Sequence, residues 1–340
     1  MDSDDVHRLD LTTEWTPDHV AAYLVEGDEG LVLVDAGVPG EEGEMELRAE
    51  FREAGHSLAD VDALLVTHPH VDHDGQAKVV IEESDATVYA HEDVPERLRY
   101  DGLKDRALTN AREIGIPEAE LEDTVDRWME GIRTNRECLP PDSIDVLLED
   151  DETFEVAGHG FEALHTPGHQ KEHLAYACDG LLFSGDGLIE AFRPVIYDVG
   201  FDDGMYESAA NCYETFGRLG ERDAERVYPG HGPVFEDPAS AAENSLGSLD
   251  ALVESVAETV ESLEEPTVLD VAMTRKKPSH DLRHLIFDNI GAVGYLDARG
   301  RLTSYTEDGV RHYRPADSGD ETGAETETEA VGVAADETSV

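Results

Sequence analysis

The sequence predicts an α/β fold built on two sheets, and three observations carry that prediction. Strand-like and helix-like patterns alternate over residues 8–90, the order that lays helices onto a sheet. Short strand-like runs follow at 146–148, 153–156, 161–165, 174–178 and 181–183, punctuated by Gly or Asp, and they suggest a second, antiparallel sheet. Helical periodicity returns after Pro233 and ends in a hairpin pattern, so the 340 residues are expected as one large domain with a small appended one.

Taken in order, residues 20–25 and 31–34 are apolar strand runs flanking Glu26-Gly27-Asp28-Glu29-Gly30, whose glycines suit a tight hairpin. The second run stops at Asp35-Ala36-Gly37. Residues 41–54, closed by Gly55, read as an amphipathic helix, 75–82 as another, and 87–90 as a short strand. Between them lies the stretch around which the chain is organised. The apolar run 63–66 opens through Thr67 into His68, Pro69, His70, Val71, Asp72 and His73, which reads as a buried strand ending in a loop. Three imidazoles and a carboxylate so close together point to metal chemistry. These donors suit Zn, Fe, Mn or Co, and two His one residue apart at a strand end can face the same way.

Residues 92–144 change to charged helical periodicity with apolar points from Leu98 to Ile132. This insertion is expected to lie over the site as a lid or substrate wall, with Trp128, Met129 and Arg133 as substrate contacts; packing on the scaffold alone is the alternative. His169 and Asp186 fall in loops at strand ends, while His159 and His165 lack a partner in the pattern and read as structural or exposed. Residues 205–219 form a helix and 227–228 a last short strand delivering Pro229-Gly230-His231-Gly232, whose glycines let the backbone turn closely around the imidazole. Helices are expected at 241–263, 267–273 and 281–290, and hairpin strands at 300–305 and 309–313. Residues 316–340, rich in Asp, Glu, Thr, Gly and Ala without aromatics, are expected as a disordered acidic tail.

Asp and Glu total 79 against 25 Lys and Arg, a formal net charge of -54. Lysine is confined to Lys78, Lys104, Lys171, Lys276 and Lys277. Such self-repulsion is tolerable in molar salt, where the Debye length falls to about 3 Å, so a halophilic protein is expected and the charge sign says little about substrate. Arg275, Lys276, Lys277, Arg283 and His284 form the one basic cluster in the sequence. Cys138, Cys178 and Cys212 are too scattered for a CxxC site and fit a reducing compartment. The first residues lack the pattern of a signal peptide, and no apolar run reaches the roughly 18 residues of a membrane span. A soluble, cytoplasmic protein is therefore expected.

Thr67-His68-Pro69-His70-Val71-Asp72-His73 resembles the His-x-His-x-Asp-His signature of the metallo-β-lactamase superfamily. Four more pieces stand in that family's order: Leu33-Val34-Asp35-Ala36-Gly37, Thr166-Pro167-Gly168-His169, Ser184-Gly185-Asp186 and Tyr228-Pro229-Gly230-His231-Gly232. The resemblance implies a four-layer αββα sandwich over residues 1–235, carrying the insertion at 92–144. The segment 236–315 is similar to the small winged-helix-like module of the branch named for β-lactamase-like protein 2. It further implies two divalent metal ions, zinc with manganese or iron as alternatives. His68, His70 and His169 would hold one, Asp72, His73 and His231 the other, and Asp186 would bridge them. Asp35 would hold the metal-binding loop in place, His173 would support the site without ligating, and Asp72 would double as a proton acceptor.

The implied activity is hydrolysis, with a metal-bridging hydroxide attacking an ester, thioester, lactone or lactam carbonyl. A phosphodiesterase or nuclease acting on RNA or DNA is one alternative, and a mono-iron oxidoreductase similar to persulfide dioxygenases is another. No side-chain nucleophile competes: Ser184 lacks a Gly-x-Ser-x-Gly elbow, and no Cys pairs with a motif His. A small-molecule substrate is the expected partner, a homodimer is compatible with the C-terminal module, and no membrane is involved.

Overall fold

Strands covered on both faces carry apolar residues without alternation, and the central strands of this chain do so. The computed structural model describes residues 5–15, 17–99, 102–196, 201, 204–278 and 281–316. Strands β1 (Val6–Thr12), β2 (His19–Gly27), β3 (Gly30–Val34), β4 (Ala63–Leu65), β5 (Thr87–His91) and β6 (Val146–Leu148) form one six-stranded sheet in that order. The first three are antiparallel and β3 to β6 run parallel. The second sheet contains β7 (Thr153–Val156), β8 (His159–His165), β9 (Leu174–Cys178), β10 (Leu181–Gly185) and β11 (Arg226–Pro229), ordered β11-β10-β9-β8-β7. It is antiparallel except where β10 and β11 pair in parallel.

Period-two alternation then assigns each side chain to a layer. Tyr23, Val25, Val32, Val34 and Leu65 pack between the sheets against Phe161, Ala163, Tyr176 and Phe183. Their neighbours Ala22, Leu24, Leu33 and Leu64 face outward, beneath α1 (Gly40–Glu53), α2 (Ala77–Glu83) and α3 (Val94–Arg99). Leu47 and Phe51 of α1 are both 0 % exposed, and at about 1.5–3 kcal/mol per buried side chain of this size they anchor that helix. On the far side Leu164, Ala175, Leu182 and Val227 pack under α4 (Leu103–Glu113), α5 (Leu121–Cys138) and α6 (Ser208–Gly220), and under α7 (Pro238–Ser262), α8 (Val268–Arg275) and α9 (Leu282–Ala298). The result is the four-layer αββα sandwich that the resemblance implied.

Four sequence readings are corrected. The run at 146–148 joins the first sheet, with Tyr89 paired to Val146 and His91 to Leu148, because the helical crossover returns the chain in parallel to β5. The expected insertion is not one unit: Val94 and Leu98 of α3 belong to the core under the first sheet, while α4 and α5 belong to the other helical layer. Helix α6 starts three residues later than expected, after a turn at 204–207. Helix α9 runs eight residues past its expected end, through Gly291 and Gly294. The helix passes Tyr206 so closely at Gly294 that a Cβ there would lie 2.2 Å from the Tyr206 carbonyl oxygen.

The C-terminal helices are capped as their sequences dictate. Asp237 accepts the Ser240 N–H at 2.9 Å ahead of Pro238, and Thr267 with Asp270 forms a capping box. The hairpin of β12 (Leu302–Glu307) and β13 (Val310–Pro315) turns through Asp308 and Gly309, both at positive φ. Buried Leu302 and Tyr313 dock it into the core that also holds Val125, Phe216 and Val293, so the segment 236–315 shares its core with the sandwich. Of the expected tail only Ala316 lies within the described residues, where its N–H reaches Arg301 O at 3.1 Å. No described helix is long and apolar enough to cross a membrane.

Candidate metal centre

Strand ends build the site. At the end of β3, Asp35 sits at φ 61 and is 2 % exposed, a left-handed conformation that costs an ordinary L-residue about 1–2 kcal/mol. Three donors converge on its carboxylate and hold it there: Thr67 N at 2.8 Å, Thr67 Oγ1 at 2.8 Å and His73 Nδ1 at 2.9 Å. Asp35 thereby ties β3 to the loop that follows β4. Two tyrosines of the inter-sheet core fix the same rim, Tyr176 donating to Val66 O at 2.8 Å and Tyr23 to Pro229 O at 2.6 Å.

The hydrogen bonds decide where each imidazole carries its proton. Thr67 gives its hydroxyl hydrogen to Asp35, so it accepts from His68 Nδ1 at 3.0 Å. His73 Nδ1 donates to Asp35, His169 Nδ1 to Val195 O at 2.8 Å, and His231 Nδ1 to His19 O at 2.7 Å. All four therefore carry a hydrogen on Nδ1 and turn Nε2 inward. His70 Nδ1 lies 2.9 Å from His68 Nε2 and 3.1 Å from His169 Nε2. Asp186 approaches His231 Nε2 at 3.4 Å, His169 Nε2 at 3.5 Å and His73 Nε2 at 3.6 Å, and Asp72 lies 3.6 Å from His231 Nε2.

These seven side chains fall into three overlapping sets whose donor atoms lie within 4.8 Å of one another: His68, His70 and His169; His68, His73 and Asp186; Asp72, His73 and His231. His73 Nε2 and Asp186 Oδ1 are buried, face each other, and have no hydrogen-bond partner. Orphaned polar atoms of this kind are costly unless something charged lies between them. Burial, then the neighbouring imidazoles, pushes His68 and His70 well below the ordinary imidazole range, and burial lowers His169 as well. Burial also opposes charge on His73, but Asp186 and Asp35 outweigh it and hold that ring well above the ordinary range. The donor set thus fits divalent cations: neutral nitrogens on one side, and on the other a carboxylate that calls for positive charge.

His173 touches the site without joining these sets. Its Nε2 accepts the Asp186 N–H at 3.0 Å, and its Nδ1 lies 2.7 Å from Thr166 Oγ1, so it holds the Asp186 loop. Gly230 passes so close that a Cβ would lie 2.5 Å from Asp186 Oδ1. The expected substrate contacts on α5 are placed differently. Met129 is 4 % exposed inside the core, Trp128 packs edge-on against Phe201 at 6.2 Å, and Arg133 is ion-paired with Glu130 on the exposed side of the helix. Asn135, a residue the sequence reading passed over, is the one from α5 that reaches the loop, donating to Pro69 O. A polar residue on the buried stripe of an amphipathic helix was the available signal. Val195 and His19 act through main-chain carbonyls, which no side-chain pattern reveals. Asp74 was also missed: neither carboxylate oxygen has a hydrogen-bond partner, and burial pushes its carboxyl well above the usual range.

A two-sheet sandwich whose strand-end loops gather five imidazoles and two carboxylates is a scaffold that could hold divalent metal. The chain belongs to the metallo-β-lactamase superfamily, whose family model matches residues 15–231. It is 22 % identical over 322 residues to the probable metallo-hydrolase YqjP of Bacillus subtilis, covering 92 % of this chain and 99 % of that protein. Over 106 residues it is 30 % identical to an atrochrysone carboxyl ACP thioesterase of Aspergillus chevalieri, about 30 % of this chain and 31 % of that one. A metallo-β-lactamase family protein of Thermus thermophilus shares the fold at a TM-score of 0.75 and 21 % identity, covering 92 % of this chain and 99 % of that chain.

Proposed function

We propose that the chain is a metal-dependent hydrolase of carbonyl substrates, an ester, thioester, lactone or lactam. The observation that carries this reading is the arrangement of the rings: His68, His73, His169 and His231 each donate from Nδ1 to an acceptor behind them and turn Nε2 into one centre shared with Asp72 and Asp186. Two divalent cations, zinc in the first instance, would supply there a water acidified from a pKa of 15.7 to about 7 and a Lewis-acid contact for the substrate oxygen. His68, His70 and His169, kept neutral by burial, leave their lone pairs available. Asp72, its side chain 15 % exposed against 7 % for Asp186, would serve as the proton acceptor.

One observation favours a carbonyl over a phosphodiester: the basic cluster that could collect phosphates is partly engaged internally, Arg275 with Asn289 and Arg283 with Asp281. The thioesterase named above agrees with that choice over the segment it shares. The test is metal quantification joined to a panel of thioester, lactone, β-lactam, phosphodiester and RNA substrates in molar salt, with oxygen uptake recorded. Two divalent ions per chain and carbonyl hydrolysis that is lost to a chelator and restored by metal are expected. One iron with oxygen uptake, or RNA cleaved in preference to every carbonyl substrate, would overturn the reading.

A further inference from the structure

Strand β10 ends at the metal centre, and its other end carries a second group of donors. There β9 turns into β10 through Asp179 and Gly180, both at positive φ (48° and 83°), the geometry of a two-residue hairpin turn. Cys178, the last residue of β9, is 3 % exposed, and His159, the first residue of β8, lies alongside. His159 Nε2 is 3.0 Å from Glu26 O. A carbonyl can only accept, so the hydrogen is on Nε2 and Nδ1 is a lone pair. That nitrogen is 3.9 Å from Asp179 Oδ2, Cys178 Sγ is also 3.9 Å from Asp179 Oδ2, and all three donor atoms lie within 4.8 Å of one another.

Bond lengths of about 2.3 Å to sulfur and 2.0–2.2 Å to nitrogen and oxygen put the donors of a tetrahedral ion roughly 3.3–3.7 Å apart. The two 3.9 Å spacings to Asp179 need only a small contraction. We propose that His159, Cys178 and Asp179 form a separate, thiolate-containing site for a zinc-class divalent ion, with water completing its coordination. The tie from His159 to Glu26 O is the support a ligating imidazole requires. Access is open, since the Asp179 side chain is 52 % exposed and, with Cys178, borders a groove of about 600 Å³ whose walls include Glu155 and Glu162. Burial, then Asp179, pushes the Cys178 thiol up to about 12, so the ion enters by displacing that hydrogen: Cys–SH and M²⁺ give Cys–S–M⁺ and one H⁺, with no change of oxidation state. An ion there would clamp the start of β8 to the β9–β10 turn and stabilise the second sheet by linkage.

Cobalt titration of the metal-free, full-length protein tests this without reference to activity. The loop centre offers only nitrogen and oxygen, so a near-ultraviolet thiolate-to-cobalt charge-transfer band reports the new site alone. The band should saturate at one ion per chain and persist in His70→Ala, Cys138→Ser and Cys212→Ser. It should vanish in Cys178→Ser and need about tenfold more cobalt in Asp179→Asn, a variant that keeps the left-handed turn. Should Cys178→Ser not fold, Asp179→Asn decides the matter. Absence of the band in the wild type, its survival in Cys178→Ser, or unchanged cobalt affinity in Asp179→Asn would each refute the site.

Discussion

His73 and His91 are the same side chain put to opposite uses. Both are buried, at 0 % and 6 % exposure, and both lie against another imidazole, His73 against His68 at 4.2 Å and His91 against His165 at 4.5 Å. At His91 the Nδ1 lone pair accepts the Asp93 N–H at 3.1 Å and is used up on the backbone. At His73 the acceptor is Asp35, so Nδ1 carries the hydrogen and Nε2 faces Asp186 with nothing else to bind. Burial alone therefore does not make a candidate ligand. What stands behind the ring matters: an acceptor at the rear keeps a hydrogen on Nδ1 and leaves Nε2 to face the centre, and His169 and His231 repeat the device with Val195 O and His19 O.

The most severe way to break this contrast is to remove the group the lone pairs face. Asp186→Ala deletes the carboxylate shared by His73, His169 and His231, and metal-dependent turnover should fall to background with loss of bound metal. His70→Ala should do the same. Elemental analysis beside the panel assay checks both, and wild-type turnover in either variant would dismiss the two-metal arrangement. Asp35→Asn is the next step down. It keeps the shape but weakens the acceptor behind His73 and Thr67, and metal affinity should drop about 10–100-fold. Retained affinity would mean that the rear tie does not aim the ring.

The other member of the pair has its own test, in stability. Burial, then His165, lowers His91 to about 4 from an ordinary value of 6.5. Because the folded value lies below the unfolded one, the unfolded chain takes up the proton first. The contribution is complete above about pH 6.5 and is lost as pH falls toward 4, amounting to about 2 kcal/mol at pH 5. Urea unfolding of wild type and His91→Gln at pH 7 and pH 5 should show the wild type losing about that much more. Parallel losses would remove the assignment. In metal-free protein His73 runs the other way: held above the ordinary range by Asp186 and Asp35 against burial, its contribution is present at low pH and disappears as pH rises through the raised value.

The legible part of this chain was the part written in adjacent residues. His68, His70, Asp72 and His73 lie in one loop, and the strand-end positions of His169, Asp186 and His231 followed from short runs ending in Gly. The two sheets were legible from the alternation of strand and helix patterns and from the short runs at 146–183, and the four-layer order came from the family resemblance. What stayed hidden depends on pairing across the chain. Residues 146–148 carry nothing that chooses between two sheets, yet β5 claims them. Trp128, Met129 and Arg133 looked accessible because helical periodicity gives a buried stripe but not the neighbour it meets. Gly291 and Gly294 ended the expected helix by propensity, while close packing on Ser208 and Tyr206 carried it onward.

The smallest expected effect tests whether the rear tie extends beyond the residue that makes it. Val195, which takes the His169 hydrogen, is flanked by two groups fixed to Asp288 of α9: Arg193 Nη2 at 2.8 Å and the Ile196 N–H at 3.2 Å from its carboxylate oxygens. The C-terminal segment therefore connects to the His169 imidazole through one main-chain carbonyl. Asp288→Ala frees that carbonyl to drift, and metal affinity should weaken about tenfold, at the lower limit for such a support. Asp288→Asn, which still accepts from Ile196, should lose less. Reading the His169 tautomer from imidazole nitrogen shifts in metal-free protein separates positioning from general damage. An Nδ1-protonated ring in wild type that becomes mixed in Asp288→Ala supports the coupling, whereas lowered thermal stability with an unchanged tautomer and unchanged metal affinity would confine Asp288 to packing.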